Sequence, residues 1–314
     1  MSDALLPASA ASRPGLGLDA GGTHTRWALA AADGRLHAEG CIAAVSGLQL
    51  RSAAGRDAAA DALRQLAAAV APLGGAGRVV AGVTGLDATQ APLLCELAAT
   101  ALGLASADVQ AMADVELACR AAFAPGEGFV VVAGTGSIAA FVDEQGGLHR
   151  AGGRGAVIDD AGSGHWIARR ALRQIWRAED SEPGAWRRSP LARQIFERIG
   201  GAAWADTRHW VYNGPGAARG GLGTLALAVA AAADEDPAAL ALLQAAGTEL
   251  ARLALALQQR FGARPLALAG RVFDLHPAIE DSLRRGLPAG TAVQRLTLPP
   301  HHAAARMAAR ETAP

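Results

Sequence analysis

No lysine occurs anywhere in the 314 residues, so all 29 strongly basic side chains are arginines. That absence removes whole mechanisms. A G-K-[ST] phosphate loop, the strand lysine of protein kinases and any Schiff-base enzyme each depend on a lysine amine. A nucleotide here would have to be held by backbone N–H groups, hydroxyls and a metal ion. Cysteine is nearly as scarce: Cys41, Cys95 and Cys119 are too far apart in sequence for a C-x-x-C metal pair or a disulfide framework, which points to a reduced, cytoplasmic protein. Charge of one sign is not in excess, the formal net charge being 0, and this argues against a nucleic-acid partner. Runs such as TLALAVAAAA are too short to span a bilayer. The opening MSDALLPASAASRPG lacks a basic segment followed by a continuous apolar one, so no membrane partner is expected and these residues read as a frayed tail.

What the sequence does contain is a repeat. Gly22 falls on Gly134, Thr23 on Thr135, Gly34 on Gly146, Leu36-His37 on Leu148-His149 and Gly40 on Gly152, always 112 residues apart. Each copy opens with a strand, a Gly/Thr turn, a return strand, a second turn and a third strand. After the first copy, RDAAADALRQLAAAVAPL, TQAPLLCELAATALGL and VELACRAAF read as helices, while RVVAGVTGL and DVQAMAD read as strands. After the second come SGHWIARRALRQIWRAE, SPLARQIFERI and PAALALLQAAGTELARLALALQQRF as helices, then PLALAGRV and AVQRLTLP as strands. The length and the 51% hydrophobic content suit two α/β domains, each with its own core. Ligands of such sheets collect at the turns beyond strand ends.

Five motifs follow in order: DAGGTHT (19–25), ADVELA (113–118), AGTGS (133–137), GGRGAVIDDAGSGHWIA (152–168) and LALAGRV (266–272). Together they resemble the BadF/BadG/BcrA/BcrD-type ATPase family, which contains N-acetylglucosamine kinase and bacterial glucosamine kinase, within the actin, heat-shock chaperone and sugar-kinase superfamily. The resemblance runs from Gly17 to about Ala309. It implies two similar actin-like (ribonuclease H-like) ATPase domains with mixed sheets around a central cleft. The first would be residues 1–116 plus 298–314, with a closing helix returning to it; the second would be 117–297, with helical insertions. It further implies ATP and Mg²⁺ as cofactors, an amino sugar as the small-molecule partner and phosphoryl transfer as the reaction.

Residue by residue, Gly21, Gly22, Gly134 and Gly136 are expected to take positive φ and bring N–H groups close to an anion, with Thr23, Thr135 and Ser137 adding hydroxyl donors. In the resembled family these two loops hold the β- and γ-phosphates. Asp19 either caps a turn or holds Mg²⁺ through water. Asp114, after VQAM and before a helix, is a favoured N-cap by residue type and the sugar-activating general base by resemblance. The family's sugar-pocket pattern, G-G-W-G-x-x-x-[GS]-D-E-G-S-[AG], puts Asp160 on sugar hydroxyls beside Gly153 and Arg154. Arg154, Asp159 and Ala161 depart from that pattern where tryptophan, a small residue and glutamate are common. An Arg154–Asp159 pair would restore neutrality; alternatively Arg154 would meet an acidic substituent.

Ser46 and Gly47, in AAVSGLQL, are further substrate contacts in a segment that lacks the asparagine of animal-type N-acetylglucosamine kinases. Gly270 and Val272 match the adenosine turn. The closing PHHAAARMAARETAP lacks the family's Gly-Ala start. Its His301-His302 pair, with no third ligand at helical spacing, reads as surface or capping histidine. Residues 237–261 offer an apolar face suited to a homodimer or equally to a core. Other classes are an ATPase activator of a radical dehydratase, which would need cysteines near the second loop, and a catalytically silent nucleotide- or sugar-binding scaffold, left open by Arg154 and Ala161. A sugar-responsive repressor would need an added helix-turn-helix that the chain lacks.

Overall fold

In the computed structural model, which describes residues 13–218 and 220–310, the sequence repeat is a repeated sheet. The tail expected at the start lies, through Ser12, outside the described residues. Strands β1 (Gly15–Ala20), β2 (His24–Ala30) and β3 (Leu36–Ala43) form an antiparallel meander. β4 (Arg78–Val83) and β5 (Val109–Ala113) join β1 in parallel, giving the order β3-β2-β1-β4-β5. In the second sheet β6 (Phe129–Ala133), β7 (Ser137–Val142) and β8 (Leu148–Gly152) repeat the meander. There β9 (Leu266–Ala269) and β10 (Val293–Arg295) add in parallel, so the order is again β8-β7-β6-β9-β10. The second turns agree bond for bond. Ala31 N donates to Arg35 O at 2.9 Å and Asp143 N to Gly147 O at 3.0 Å, and the glycine needed for φ of +80° or +84° is Gly34 in one and Gly146 in the other.

Parallel pairing requires crossovers. In the first sheet these are α1 (Ala53–Val70) and α2 (Ala91–Leu102), and α3 (Asp114–Ala122) follows β5. In the second, the crossover after β8 carries α4 (Gly164–Ser181), α5 (Pro190–Ile199), α6 (Trp204–Tyr212), α7 (Ala226–Ala232) and α8 (Pro237–Phe261), and α9 (Pro277–Arg285) links β9 to β10. By internal contacts the chain divides after Ala121 and before Leu298, the last stretch belonging with the first unit. Strands covered on both faces read as apolar runs, and β4 is buried from Val79 to Val83. The edge strand β3 alternates half-buried and exposed positions.

Two features differ from the sequence reading. α8 is by length and composition apolar enough to cross a bilayer, contrary to the expectation that every apolar run is too short. Yet Leu243, Ala246, Leu250, Leu253, Ala254 and Leu257 are buried in the core of the second unit, so the apolar residues offered for a homodimer are taken up by the unit's own packing. The closing helix α10 (Pro300–Arg310) forms although the Gly-Ala start is missing. It lies so close to β1 that a Cβ placed on Gly17 would be 2.0 Å from Ala305 N, and one on Gly15 2.2 Å from Ala309 N. Ala304, Ala305, Ala308 and Ala309 have no exposed surface.

Candidate active site

The parallel strands of the first unit end in register: Ala20 pairs with Val83, and Val83 with Ala113. Polar residues at those ends therefore gather at one edge of the sheet, and here they are Asp19, Thr84 and Asp114. Thr84 N extends the ladder by donating to Ala20 O at 2.9 Å. Its hydroxyl donates to Asp114 Oδ2 at 2.7 Å, while Val115 N donates to Asp114 Oδ1 at 2.8 Å. Both carboxylate oxygens are thereby oriented at the first residue of α3. Burial, and then the charge of Asp114, hold the Asp19 carboxyl above its ordinary range, against the opposing pull of Arg26 and His24.

Two neighbouring carboxylates at the carboxyl ends of parallel strands, one half-desolvated, form a donor set that fits a hard divalent cation bound largely through water. Folding raises the pKa of Asp19, so its ionised form costs stability at neutral pH; the cost declines as pH falls below the raised value, is gone below the ordinary carboxylate value, and is absent when an amide replaces the acid. Asp19→Asn is accordingly expected to raise the metal-free melting temperature at pH 7 while abolishing Mg²⁺-dependent nucleotide binding. Scanning calorimetry and titration with MgATP check the two halves.

The hairpin tips correct one expectation. None of Gly21, Gly22, Gly134 and Gly136 has positive φ, so a left-handed backbone is not what calls for glycine there, and crowding excludes a side chain outright only at Gly136. The first tip closes with Gly21 N donating to His24 O at 3.1 Å, the second with Gly134 N donating to Gly136 O at 2.9 Å. A Cβ on Gly134 would meet nothing within 4 Å, whereas one on Gly136 would sit 2.7 Å from Asp160 Oδ2. Thr23 and Thr135 are exposed. The Ser137 hydroxyl is not free for a nucleotide: it is buried and donates to Ala161 O at 2.7 Å. Gly134→Ala is expected to leave folding stability within about 0.5 kcal/mol and to weaken ATP binding, because the methyl would occupy the open space in front of the loop. Chemical denaturation and nucleotide titration measure both.

Asp160 lies against this same loop. Its Oδ1 accepts from Gly155 N at 3.2 Å, and Ser137 N also donates to the carboxylate. Burial is the main cause that raises its pKa, helped by the charge of Asp159. Gly153 N donates to Ser137 O at 2.9 Å, and Gly164 N to Gly134 O at 2.9 Å, so the glycine-rich segment and the second tip form one piece. Ser163 caps α4, its hydroxyl accepting from Trp166 N. The expected Arg154–Asp159 pair does not form. Asp159 instead accepts from Arg252 of α8 at 3.1 Å, and Arg154 is exposed with no ion pair among the described residues. Ala161, where the family has glutamate, is packed in the core.

Two expected substrate contacts face inward or fasten loops. The Ser46 hydroxyl is buried and donates to Gln49 Oε1 at 3.2 Å. Gly47 N donates to Thr84 O at 3.0 Å, and a Cβ on Gly47 would be 2.2 Å from Gly85 O. At the expected adenosine turn, Gly270 has φ +99° and passes against Ala133 O, next to Gly134. The Val272 side chain is core, at 3% exposure. Thr84 and the stretch Gly220–Thr224 were not singled out from sequence. A Cβ on Gly220 would come within 3.1 Å of Thr135 Oγ1, so that glycine-rich stretch borders the second tip. Their signals were available: Thr84 follows an apolar strand as Asp114 does, and GGLGT is as rich in glycine as the hairpin tips.

No curated protein matches the sequence significantly. Among solved structures, the chain is similar to a provisionally named N-acetylglucosamine kinase of Chromobacterium violaceum, at 27% identity and TM-score 0.70, with 96% of this chain and 99% of that one covered. It is similar in fold to a provisionally named N-acetylglucosamine kinase of Porphyromonas gingivalis, at 20% identity and TM-score 0.72, covering 95% and 99%. It also shares the fold of a ROK family glucokinase of Streptomyces griseus solved with glucose and AMPPNP, at 19% identity and TM-score 0.58, covering 96% and 99%. The two mixed five-stranded sheets are thus those of the actin-like ATPase sugar kinases. The model of the BadF/BadG/BcrA/BcrD ATPase family matches residues 16–293, nearly the whole chain, and the protein belongs to that family.

Proposed function

We propose that the protein is an ATP- and Mg²⁺-dependent kinase of an amino sugar, N-acetylglucosamine or glucosamine, with Asp114 as the general base. The observation that carries this reading is the Asp114 carboxylate, oriented by Thr84 Oγ1 and Val115 N at a strand edge beside the half-desolvated Asp19. A sugar hydroxyl donating to Asp114 is aligned for in-line attack. It gives up its proton late, because phosphoryl transfer runs through a loose transition state. Magnesium, when bound with the nucleotide at Asp19, supplies the charge neutralisation at the phosphates that no lysine of this chain can supply. The amides of the two hairpin tips bind phosphate oxygens, Gly134 leaving them room. Asp160 accepts hydrogen bonds from the sugar.

The activator reading is disfavoured by the thiols. Cys119 is buried, and that burial pushes its thiol up to about 12, the setting of an inert core cysteine. No cluster of three potential ligand side chains among the described residues includes a cysteine. The test is incubation of the purified protein with MgATP and a panel of glucosamine, N-acetylglucosamine, glucose and N-acetylmannosamine, with ADP release followed by a coupled assay and the product by phosphorus NMR. ADP release dependent on an amino sugar is expected; ADP release at the same rate without any sugar refutes the reading.

A further inference from the structure

The third ligand that the sequence did not offer to His301 and His302 comes from the other end of the chain. Glu39, on the edge strand β3, places Oε2 2.5 Å from His302 Nε2 and 3.6 Å from His301 Nε2. The three ligand atoms all lie within 4.8 Å of one another. They share a surface pocket with Arg26, Gly40, Cys41 and Pro299.

A hydrogen bond accounts for the His302 contact. It does not account for His301. At 3.6 Å its Nε2 is beyond hydrogen-bonding distance of Oε2, and its Nδ1 is buried without a partner, although the side chain is only 9% exposed. Nε2, the ring nitrogen that faces Glu39, is therefore the atom left for a ligand to fill. Glu39, at 62% exposure, leaves the point open to solvent. Two imidazole nitrogens and one carboxylate oxygen, with further positions free for water, suit a divalent first-row transition ion. Magnesium and calcium prefer oxygen donors throughout.

We propose that Glu39, His301 and His302 bind such an ion, zinc-like in its preferences, and so pin the start of α10 to β3. Binding at Nε2 replaces the His302–Glu39 hydrogen bond, and the neutral imidazole then carries its proton on Nδ1. The charge of Glu39 offsets that of Arg26 in the pocket. The site is independent of Asp19 and Asp114 and does not rest on the kinase reading.

Equilibrium dialysis of the metal-stripped full-length protein against Zn²⁺, with excess Mg²⁺ to occupy any hard-ion site, is expected to load one ion per chain and to raise the melting temperature. Glu39→Gln and His302→Gln, checked in chelator for a wild-type melting curve, should each weaken that binding by about tenfold or more. Independently of any variant, the Co²⁺-loaded wild type should show the visible spectrum of a four- or five-coordinate nitrogen and oxygen site. Binding that does not saturate, binding unchanged in both variants, or the spectrum of octahedral aqueous cobalt overturns the proposal.

Discussion

Asp114→Asn is expected to lower kcat by about 10²–10⁴ while leaving the melting temperature and MgATP affinity close to those of the parent. The substitution is nearly isosteric, and the side-chain oxygen can still accept from Val115 N as the acid does at 2.8 Å. If capping α3 were the residue's whole role, asparagine would serve almost as well. What the amide cannot do is take a proton from a sugar hydroxyl. The hydrogen bond from Thr84 gives an internal comparison. Thr84→Val removes only the group that holds Asp114 Oδ2, so turnover should fall by less than in the asparagine variant and be partly restored by Thr84→Ser. A parent-like rate in Asp114→Asn, measured with the sugar identified by the panel, removes Asp114 as the base even if the protein is a kinase.

Gly17→Ala is expected to destabilise the protein by about 3–5 kcal/mol, above the ordinary range for overpacking. The added methyl would lie 2.0 Å from Ala305 N and 2.2 Å from His301 O. These are backbone atoms of α10 that cannot swing aside as a flexible side chain would. Relief requires the helix to move off β1, which uncovers Ala304, Ala305, Ala308 and Ala309 together with Val80 and Ala28, all fully buried. Denaturant melts should show the loss, and limited proteolysis should release the C-terminal segment first. A stability change under about 1 kcal/mol would mean that α10 is not seated as described.

How much of this was readable from the sequence depended on whether the information was local. The second turns of each copy were legible because Gly34 and Gly146 answer to turn chemistry within four residues. The placement of Asp19 and Asp114 at strand ends was legible because each closes an apolar run. Thr84 was not, since its meaning lies in β4 running between β1 and β5, and strand order is a property of the whole sheet. Glu39 stood 263 residues from His302. Motif membership named Ser46, Ser137 and Val272 as contacts but could not say which way they point: the two-residue alternation of a strand stops at its end, where these residues stand. For the tip glycines the expected positive φ is absent, because a hairpin tip can close without a left-handed residue, and the crowding of Gly136 by Asp160 is a tertiary contact that no local pattern shows.

The seating of α10 also bears on the order in which the molecule can be made. β1, β2 and β4 take cover from a helix at residues 300–310, so the first sheet emerges from the ribosome with that face bare and stays so until those residues have been made. The second unit is continuous from residue 122 to residue 297 and has all its parts earlier. The half synthesised first is therefore the half completed last. During that interval the glycines of β1 and the alanines of β2 present an apolar, unpaired surface to whatever binds nascent chains.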